Sequence, residues 1–163
     1  MVSFNKQVQI LTNLFNSLEL YTIQAITKDD FLYKHFGGTE NEFVSENYLK
    51  ERIRSKRVKR ATAFLLSRKE VLVLIKEALL EYTPDIAGWL LDYADGQSYE
   101  VYYDSDKPLG YGFETGMDWS KGPVQCSSFK IVLVKDERKV NGFYIKTIYP
   151  FATDKDKENL NRA

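Results

Sequence analysis

One histidine, one basic segment and two hydroxyl side chains are the residues of this chain whose types could carry out phosphoryl chemistry. His35 is the single histidine among 163 residues, and Thr147 and Tyr149 stand two positions apart near the C-terminal end. Cleavage of an RNA backbone by its own 2'-hydroxyl needs one group that accepts a proton, another that returns one, and fixed positive charge at the phosphorane. The sequence offers one of each, so metal-free RNA cleavage is a chemistry that we consider.

Charge is concentrated in two segments of opposite sign, although the net charge of the chain is zero. Residues 50–60 carry seven basic side chains against Glu51 alone, and residues 92–118 carry seven acidic side chains against Lys107 alone. A neutral protein with a concentrated basic segment can hold a polyanion locally without binding nucleic acid over its whole surface. The basic run by itself fits a solvated helix face equally well.

Composition and missing motifs exclude several other classes. Apolar residues make up 44% of the chain and charged residues 28%, which is typical of a globular domain. The single Cys126 has no partner for a disulfide or a zinc cluster, and we expect it to be a buried thiol. No phosphate-binding GxxxxGK[ST], zinc-binding HExxH or nucleophile-elbow GxSxG motif occurs. The sequence therefore predicts no metal, no cofactor and no nucleotide, and it shows neither an export signal nor a membrane span.

The first part of the chain has helical periodicity. Apolar residues recur every three or four positions over residues 3–20, which predicts an amphipathic helix in an N-terminal extension over residues 1–30. Ser45 begins a second helix, and the Ser67 to Glu70 spacing begins a third. Pro84 opens a fourth helix, which ends before Gly96.

After Gly96 the pattern changes to extended runs rich in aromatic and β-branched residues. Because side chains alternate along a strand, Thr147 and Tyr149 should share one face. The last two runs flank a turn at Asn141-Gly142, which predicts a long antiparallel hairpin. We expect a single α+β domain over residues 1–163, with helices packed on a C-terminal antiparallel sheet and a charged tail, residues 154–163, that frays. The predicted strands are 99–103, 109–113, 129–135 and 142–149.

Several short segments resemble, in order and spacing, the ribonuclease A-like domains at the C-terminal ends of bacterial contact-dependent and polymorphic toxins. The resemblance spans about residues 33–152. The terminal strand, which ends in Thr-x-Tyr-Pro, is its most specific part. The matching segments are Lys34-His35-Phe36-Gly37, Tyr48 to Ile53, Ala61-Thr62-Ala63-Phe64, Ile86 to Leu90, Leu109-Gly110-Tyr111-Gly112, Phe129 to Asp136 and Tyr144 to Pro150.

That resemblance implies a kidney-shaped ribonuclease A-like fold and metal-independent RNA cleavage, with four catalytic residues. His35 would exchange protons with the 2'-hydroxyl or the leaving oxygen, and Arg52 would clamp the phosphate with its planar guanidinium. Thr147 would orient the base or the phosphate, and Tyr149 would donate a hydrogen bond to the reacting group. Pancreatic-type enzymes use a second histidine, which this chain lacks. Tyr149, Arg52 or a lysine such as Lys146 could fill that role.

The resemblance also implies partners and a place of action. We expect Lys50, Arg54, Arg57 and Lys146 to bind RNA, with tRNA among the substrates to consider. A cognate immunity protein would block the active site, and the domain would act in the bacterial cytoplasm, with delivery from another cell as part of a secreted toxin as one route.

Three alternatives stay open at this point. A catalytically inactive relative would keep the basic segment as an RNA-binding surface, and a protein-interaction domain would use the acidic residues 92–118. A ribonuclease of the barnase or colicin kind would also join helices to an antiparallel sheet, but would use a carboxylate base.

Overall fold

The computed structural model describes residues 2–19, 22–23 and 45–162, which form an α+β fold. The strands build two antiparallel sheets of three strands each, with the orders β1-β3-β4 and β2-β5-β6. No helix within the described residues is long and apolar enough to span a membrane. In chain order the elements are α1 (Phe4–Asn16), α2 (Glu46–Arg54), β1 (Arg60–Phe64), α3 (Arg68–Glu81), α4 (Thr83–Asp92), β2 (Ser98–Asp104), β3 (Gly110–Glu114), a 3₁₀ turn (Trp119–Lys121), β4 (Val124–Cys126), β5 (Ser128–Lys135), β6 (Phe143–Phe151) and α5 (Asp154–Arg162).

The chain divides into two compact units, each assembled from three separate segments. Each unit combines helix with strand, so neither is bounded at Gly96, and the single domain over residues 1–163 stays a prediction. The first unit contains Met1–Asp30, Lys69–Tyr102 and Ile131–Ile148, and the second contains Phe31–Arg68, Tyr103–Lys130 and Tyr149–Ala163.

Serine side chains cap the first two helices, and the helix start predicted at Ser45 is confirmed. The Ser3 side chain accepts a hydrogen bond from the Lys6 amide at 3.2 Å, and that of Ser45 accepts one from the Tyr48 amide at 3.1 Å. Both serines are extended residues that satisfy an amide which the first helical turn leaves without a partner. Helix α1 ends at Asn16, before the predicted residue 20.

Aromatic pairs mark the core of the first unit. The ring of Phe15 on α1 meets that of Phe143 edge-on, with ring centroids 6.4 Å apart. The ring centroids of Trp89 on α4 and Tyr99 are 5.7 Å apart. Aromatic pairs in such geometries stabilise the fold by more than the burial of their apolar area alone. Helix α1 is therefore held by its apolar face, as its periodicity predicted.

Two strands were missed by the sequence analysis. β1 lies inside the part of the chain that was predicted to be helical, and β4 has three residues. Four consecutive residues of β1, from Ala61 to Phe64, are buried, so the strand lacks the alternation of a half-exposed strand. It pairs with β3 in antiparallel register, with Thr62 opposite Gly112 and Phe64 opposite Gly110.

One face of the β1-β3-β4 sheet is covered by α2. Leu49 and Ile53 of the helix are buried, and they pack in one cluster with side chains from the sheet. Those sheet residues are directly opposed pairs, so they share a face. They are Ala61, Ala63, Tyr111 and Phe113.

The other face carries Thr62, Phe64, Gly110 and Gly112, and the ends of two longer strands lie against it. The ring of Phe64 meets that of Phe129 on β5 edge-on, with centroids 5.9 Å apart. A Cβ atom placed on Gly110 would lie 2.7 Å from the Cβ and Cγ atoms of Pro150 on β6 and 2.5 Å from the Ala63 carbonyl oxygen. Glycine at position 110 therefore allows β6 to approach the sheet closely.

This close approach predicts that replacement by alanine affects the stability of the protein in opposite directions at Gly110 and at Gly88. Gly110→Ala should lower the free energy of unfolding by about 1–3 kcal/mol, because a methyl group would overlap backbone and ring atoms. Gly88 in α4 is the matched control, since a Cβ there meets nothing within 4 Å. Gly88→Ala should raise stability by about 0.5–1 kcal/mol through helix propensity. Urea unfolding of both variants checks this, and equal midpoints would contradict the close approach.

The C-terminal tail is helical, so the prediction that residues 154–163 fray is wrong. Thr153 and Asp156 form a reciprocal cap, in which the Thr153 amide donates to Asp156 Oδ2 at 2.9 Å and the Asp156 amide donates to Thr153 Oγ1 at 3.2 Å. Helix α5 packs against β4, and the Lys157 ammonium lies 3.1 Å from a Glu114 carboxylate oxygen. The cap is a local signal that the prediction did not use, whereas the contacts with β4 and Glu114 are tertiary and cannot be read from the charges of the tail.

Asp156 also ties this helix to the preceding sheet. Its Oδ2 atom accepts hydrogen bonds from the amide and the hydroxyl of Ser127 at 3.0 and 2.9 Å. Burial alone would raise the pKa of Asp156, but the hydrogen bonds from Thr153 and Ser127 outweigh it, so the pKa lies below its usual value. Nearby, burial raises the pKa of the Cys126 thiol, with a smaller contribution from the Asp156 carboxylate, which fits the buried thiol that was predicted.

The direction of the Asp156 shift sets a pH dependence of stability. A depressed folded-state pKa stabilises the protein above the unfolded-state value of about 4, and that stabilisation is lost as pH falls through the folded-state pKa. Asp156→Asn should therefore be less stable than wild type at pH 7 by about 1 kcal/mol, with a smaller further loss on acidification. Asp154→Asn, in the same helical turn, is the matched control. Thermal unfolding at pH 7 and pH 3 checks this, and parallel losses in all three proteins would contradict it.

Candidate active site

Of the four predicted catalytic residues, three lie in the described part of the chain. His35 lies outside the described residues. Arg52 belongs to α2, and Thr147 and Tyr149 belong to β6. The geometry of the site is therefore built from these two elements and their neighbours.

Strand β6 presents Thr147 and Tyr149 on one face. Both side chains are half-buried, and they alternate with the buried Ile148 and Pro150, which face the opposite way. The two hydroxyl groups thus share a face, as the spacing predicted. Lys146 is exposed and directly precedes Thr147 in the strand.

A second lysine, Lys130 on β5, accompanies Tyr149. Its ammonium nitrogen lies 5.3 Å from the centroid of the Tyr149 ring. A cation at this distance is attracted to the electron-rich face of the ring. Lys130 was not among the predicted site residues, because the sequence of a single chain does not show which residues of neighbouring strands lie side by side. The only signal was a lysine in the apolar run that forms β5.

The two faces of this part of the β2-β5-β6 sheet carry different kinds of side chain. We call the face toward the β1-β3-β4 sheet the inner face and the opposite one the outer face. Phe129 and Pro150 face the β1-β3-β4 sheet, and Phe129 also stacks on Tyr103 with ring centroids 5.1 Å apart. Lys130 and Tyr149, their immediate neighbours in sequence, are on the other face by alternation. This leaves a cation and a phenol together on a face that is not used for core packing with β1 and β3.

Helix α2 positions Arg52 beside its buried stripe. Leu49 and Ile53 are buried, and at about 100° per residue Arg52 and Lys50 fall on opposite flanks of the line that joins them. Arg52 is half-buried and stands in the last turn, where a cation also interacts favourably with the helix dipole. The predicted phosphate clamp thus occupies a different flank from its basic neighbour.

The opposite flank of α2 uses its cations for packing on aromatic rings. Lys50 Nζ lies 4.9 Å from the centroid of the Phe113 ring, and Arg54 Cζ lies 5.6 Å from that of Trp119. The indole nitrogen of Trp119 donates to the Glu114 carbonyl at 3.0 Å, which fixes the ring. Lys50 and Arg54 thus cover aromatic surface as well as carrying charge.

The structure brings together some of the predicted residues and leaves the others apart. Tyr149 and the unpredicted Lys130 lie side by side on β6 and β5, and Thr147 stands two positions before Tyr149 in β6. Arg52 and Tyr149 belong to the same compact unit, but α2 covers the face of the β1-β3-β4 sheet opposite to Pro150. The exposed Arg57 follows α2. Convergence of His35 and Arg52 on Tyr149 stays a prediction. Among the residues that the structure describes, no group of three histidine, cysteine or acidic side chains is arranged to hold a metal ion.

Comparison with known proteins gives two matches. A family model described as the bacterial CdiA-CT RNAse A domain matches residues 32–150, a range that includes His35, Arg52, Thr147 and Tyr149 and ends before α5. Among solved structures, one chain of the crystal structure of a CdiA-CT/CdiI complex from Y. kristensenii is 23% identical, with a TM-score of 0.60. The alignment covers 76% of this chain and 99% of that chain, and it shows a shared fold. No curated protein matches the chain.

Proposed function

Since the chain belongs to the bacterial CdiA-CT RNAse A domain family and is a ribonuclease toxin domain, we propose that it cleaves RNA without a metal ion, by 2'-hydroxyl attack. The product would carry a 2',3'-cyclic phosphate. The observation that carries this proposal is the outer face of β5 and β6, where the Tyr149 phenol lies beside the Lys130 cation. Thr147 shares this face.

The proposed reaction needs two proton transfers and charge stabilisation. The 2'-oxygen forms a bond to phosphorus as it loses its proton, and the bond from phosphorus to the 5'-oxygen breaks as that oxygen gains one. His35 exchanges one of these protons, because imidazole can both accept and release a proton near neutral pH. Thr147 orients the base or the phosphate, and Tyr149 donates a hydrogen bond to the reacting group.

Positive charge at the phosphorane comes from two sources in this proposal. The family resemblance assigns Arg52 to the phosphate, where its planar guanidinium would bind two oxygens in a way that a lysine cannot reproduce. Lys130 adds a point charge next to Tyr149, close to where negative charge develops on the phosphate. We propose Lys130, which lies beside the Tyr149 ring, as the lysine for the second proton-transfer step, with Lys146 as the alternative.

RNA is held by cations outside the reacting centre. We assign Lys50, Arg54, Arg57 and Lys146 to contacts with phosphates, which give affinity that falls as salt rises. Contacts with phosphates do not distinguish one base from another. The position of cleavage would therefore be determined by other residues of the site. A tRNA is one substrate of this chemistry.

Delivery and inhibition follow from the family. CdiA-CT domains are delivered between cells as toxins, so the proposed place of action is the cytoplasm of a recipient bacterium. The Y. kristensenii structure is a complex of CdiA-CT with CdiI. By analogy, we propose that the producing cell holds a cognate immunity protein that covers the face carrying Tyr149 and Lys130.

Incubation of labelled RNA with the purified protein in EDTA tests the proposed function. We expect cleavage of RNA, and none of a DNA strand of the same sequence, because DNA lacks the attacking 2'-hydroxyl. Cleavage that needs added divalent metal would contradict the proposed mechanism. RNA binding without cleavage under any condition would favour a catalytically inactive RNA-binding domain.

A further inference from the structure

A buried hydroxyl lies directly behind the proposed site. Thr62 is 3% exposed, and its Oγ1 atom donates a hydrogen bond of 2.5 Å to the carbonyl oxygen of Pro150, 88 positions later in the chain. Pro150 directly follows Tyr149. The Thr62 hydroxyl is thus a polar tie between the middle of β1 and the end of β6.

Neighbouring glycines make this tie possible. Gly112, opposite Thr62, has no room for a Cβ atom, which would lie 2.7 Å from Thr62 Cγ2 and 2.3 Å from the Ala61 carbonyl oxygen. Gly110 is equally crowded by the Pro150 ring. Gly110 therefore gives room to the Pro150 ring, and Gly112 gives room to the Thr62 side chain that holds the Pro150 carbonyl. The family resemblance drew on these residues without giving them a role.

Local geometry transmits the position of the Pro150 carbonyl to Tyr149. The peptide bond between Tyr149 and Pro150 is planar, and the proline ring fixes φ of Pro150. One soft torsion, ψ of Pro150, therefore separates the carbonyl group that Thr62 holds from the Cα atom of Tyr149. Loss of the hydrogen bond would free that torsion and leave a buried carbonyl without this donor.

We propose that Thr62 is a positioning residue, which fixes the Tyr149 phenol for RNA cleavage by holding the Pro150 carbonyl against the β1-β3-β4 sheet. This inference rests on the proposed function for its catalytic consequence, but the positional tie can be measured without it. Thr62 touches no substrate in this scheme and acts only through Tyr149.

The chain provides a matched control for the loss of a buried hydroxyl. Thr83 is also 3% exposed, and its Oγ1 atom donates to the Leu79 carbonyl at 2.8 Å within the first unit. Thr62→Val and Thr83→Val therefore remove equivalent hydrogen bonds, of which one reaches β6. Thr62→Ser keeps the donor and should restore wild-type behaviour. Thr62→Ala, which adds no bulk, serves where Thr62→Val does not fold.

The first measurement is ¹⁹F NMR of protein labelled with 3-fluorotyrosine, in which Tyr149→Phe identifies the Tyr149 resonance. Thr62→Val should shift or broaden that resonance, whereas Thr83→Val and Thr62→Ser should leave it unchanged. An unchanged Tyr149 resonance in folded Thr62→Val and Thr62→Ala would overturn the proposal. This result stands whether or not the protein cleaves RNA, so failure of the proposed function is seen separately, as absence of cleavage by the wild type.

The second measurement is steady-state cleavage at a temperature where all variants are folded. Thr62→Val should lower kcat about tenfold or more with KM within about twofold, because a small misplacement of a catalytic group mainly slows the chemical step. In a Tyr149→Phe background the same substitution should cost less than about twofold, because the two residues act through one group. Additive losses, or an equal loss in Thr83→Val, would show that Thr62 acts on stability alone.

Discussion

Replacement of His35 by alanine is expected to lower kcat for RNA cleavage by more than about 100-fold, because the variant lacks the group that exchanges a proton near neutral pH. Since His35 is the only histidine, no other imidazole in the chain can substitute for it. RNA binding at low salt should change by less than about threefold, because the basic segment supplies most of the affinity.

A pH profile gives this prediction a second readout. Wild-type activity should show a limb near the ordinary histidine pKa of about 6.5, and His35→Ala should lose that limb. Added imidazole should restore part of the lost rate if the defect is chemical rather than structural. Thermal unfolding serves as the folding control. Undiminished cleavage by His35→Ala would rule out the assigned role.

Arg52→Lys is expected to lower kcat/KM about tenfold or more although the charge is kept, because an ammonium group cannot bind two phosphate oxygens in one plane. Arg60→Lys is the matched control, since Arg60 is exposed at the start of β1 and no role is assigned to it. It should stay within about twofold of wild type.

Arg57→Ala distinguishes a role in the chemical step from a role in RNA binding. The exposed Arg57 should affect mainly the salt dependence of RNA binding, with little change in kcat at saturating RNA. Helix α2 places Arg52 on the flank opposite to Lys50 and Arg54, so a clamp role for Arg52 alone is geometrically distinct from the general basic charge. Equal effects of Arg52→Lys and Arg57→Ala would show that the clamp is misplaced.

Much of the fold could be predicted because its elements carry local signals. Apolar periodicity indicates α1, Ser45 indicates the start of α2, and the aromatic and β-branched runs indicate β2, β3, β5 and β6. β1 was missed because burial on both faces removes alternation, and β4 because three residues are too few for a pattern. Helix α5 was missed because the local Thr153–Asp156 capping signal was not used, and because its contacts with Ser127 and Glu114 are distant in sequence.

The candidate site shows the same division between local and tertiary information. The shared face of Thr147 and Tyr149 follows from a period of two, so the sequence predicts it. Lys130 beside Tyr149, and Thr62 behind Pro150, depend on which strands meet and in which register. The pattern of residues in one sequence does not show which strands pair or in which register. Lys130 and Thr62 could therefore be identified only from the structure.

The chemical identity of the RNA ends tests the central claim most directly. Mass spectrometry of the fragments that the wild-type protein releases from a short defined RNA in EDTA is expected to show 2',3'-cyclic phosphates paired with 5'-hydroxyl ends. Fragments with 3'-hydroxyl and 5'-phosphate ends would contradict the account, because they require attack by water or another external nucleophile rather than by the neighbouring 2'-hydroxyl.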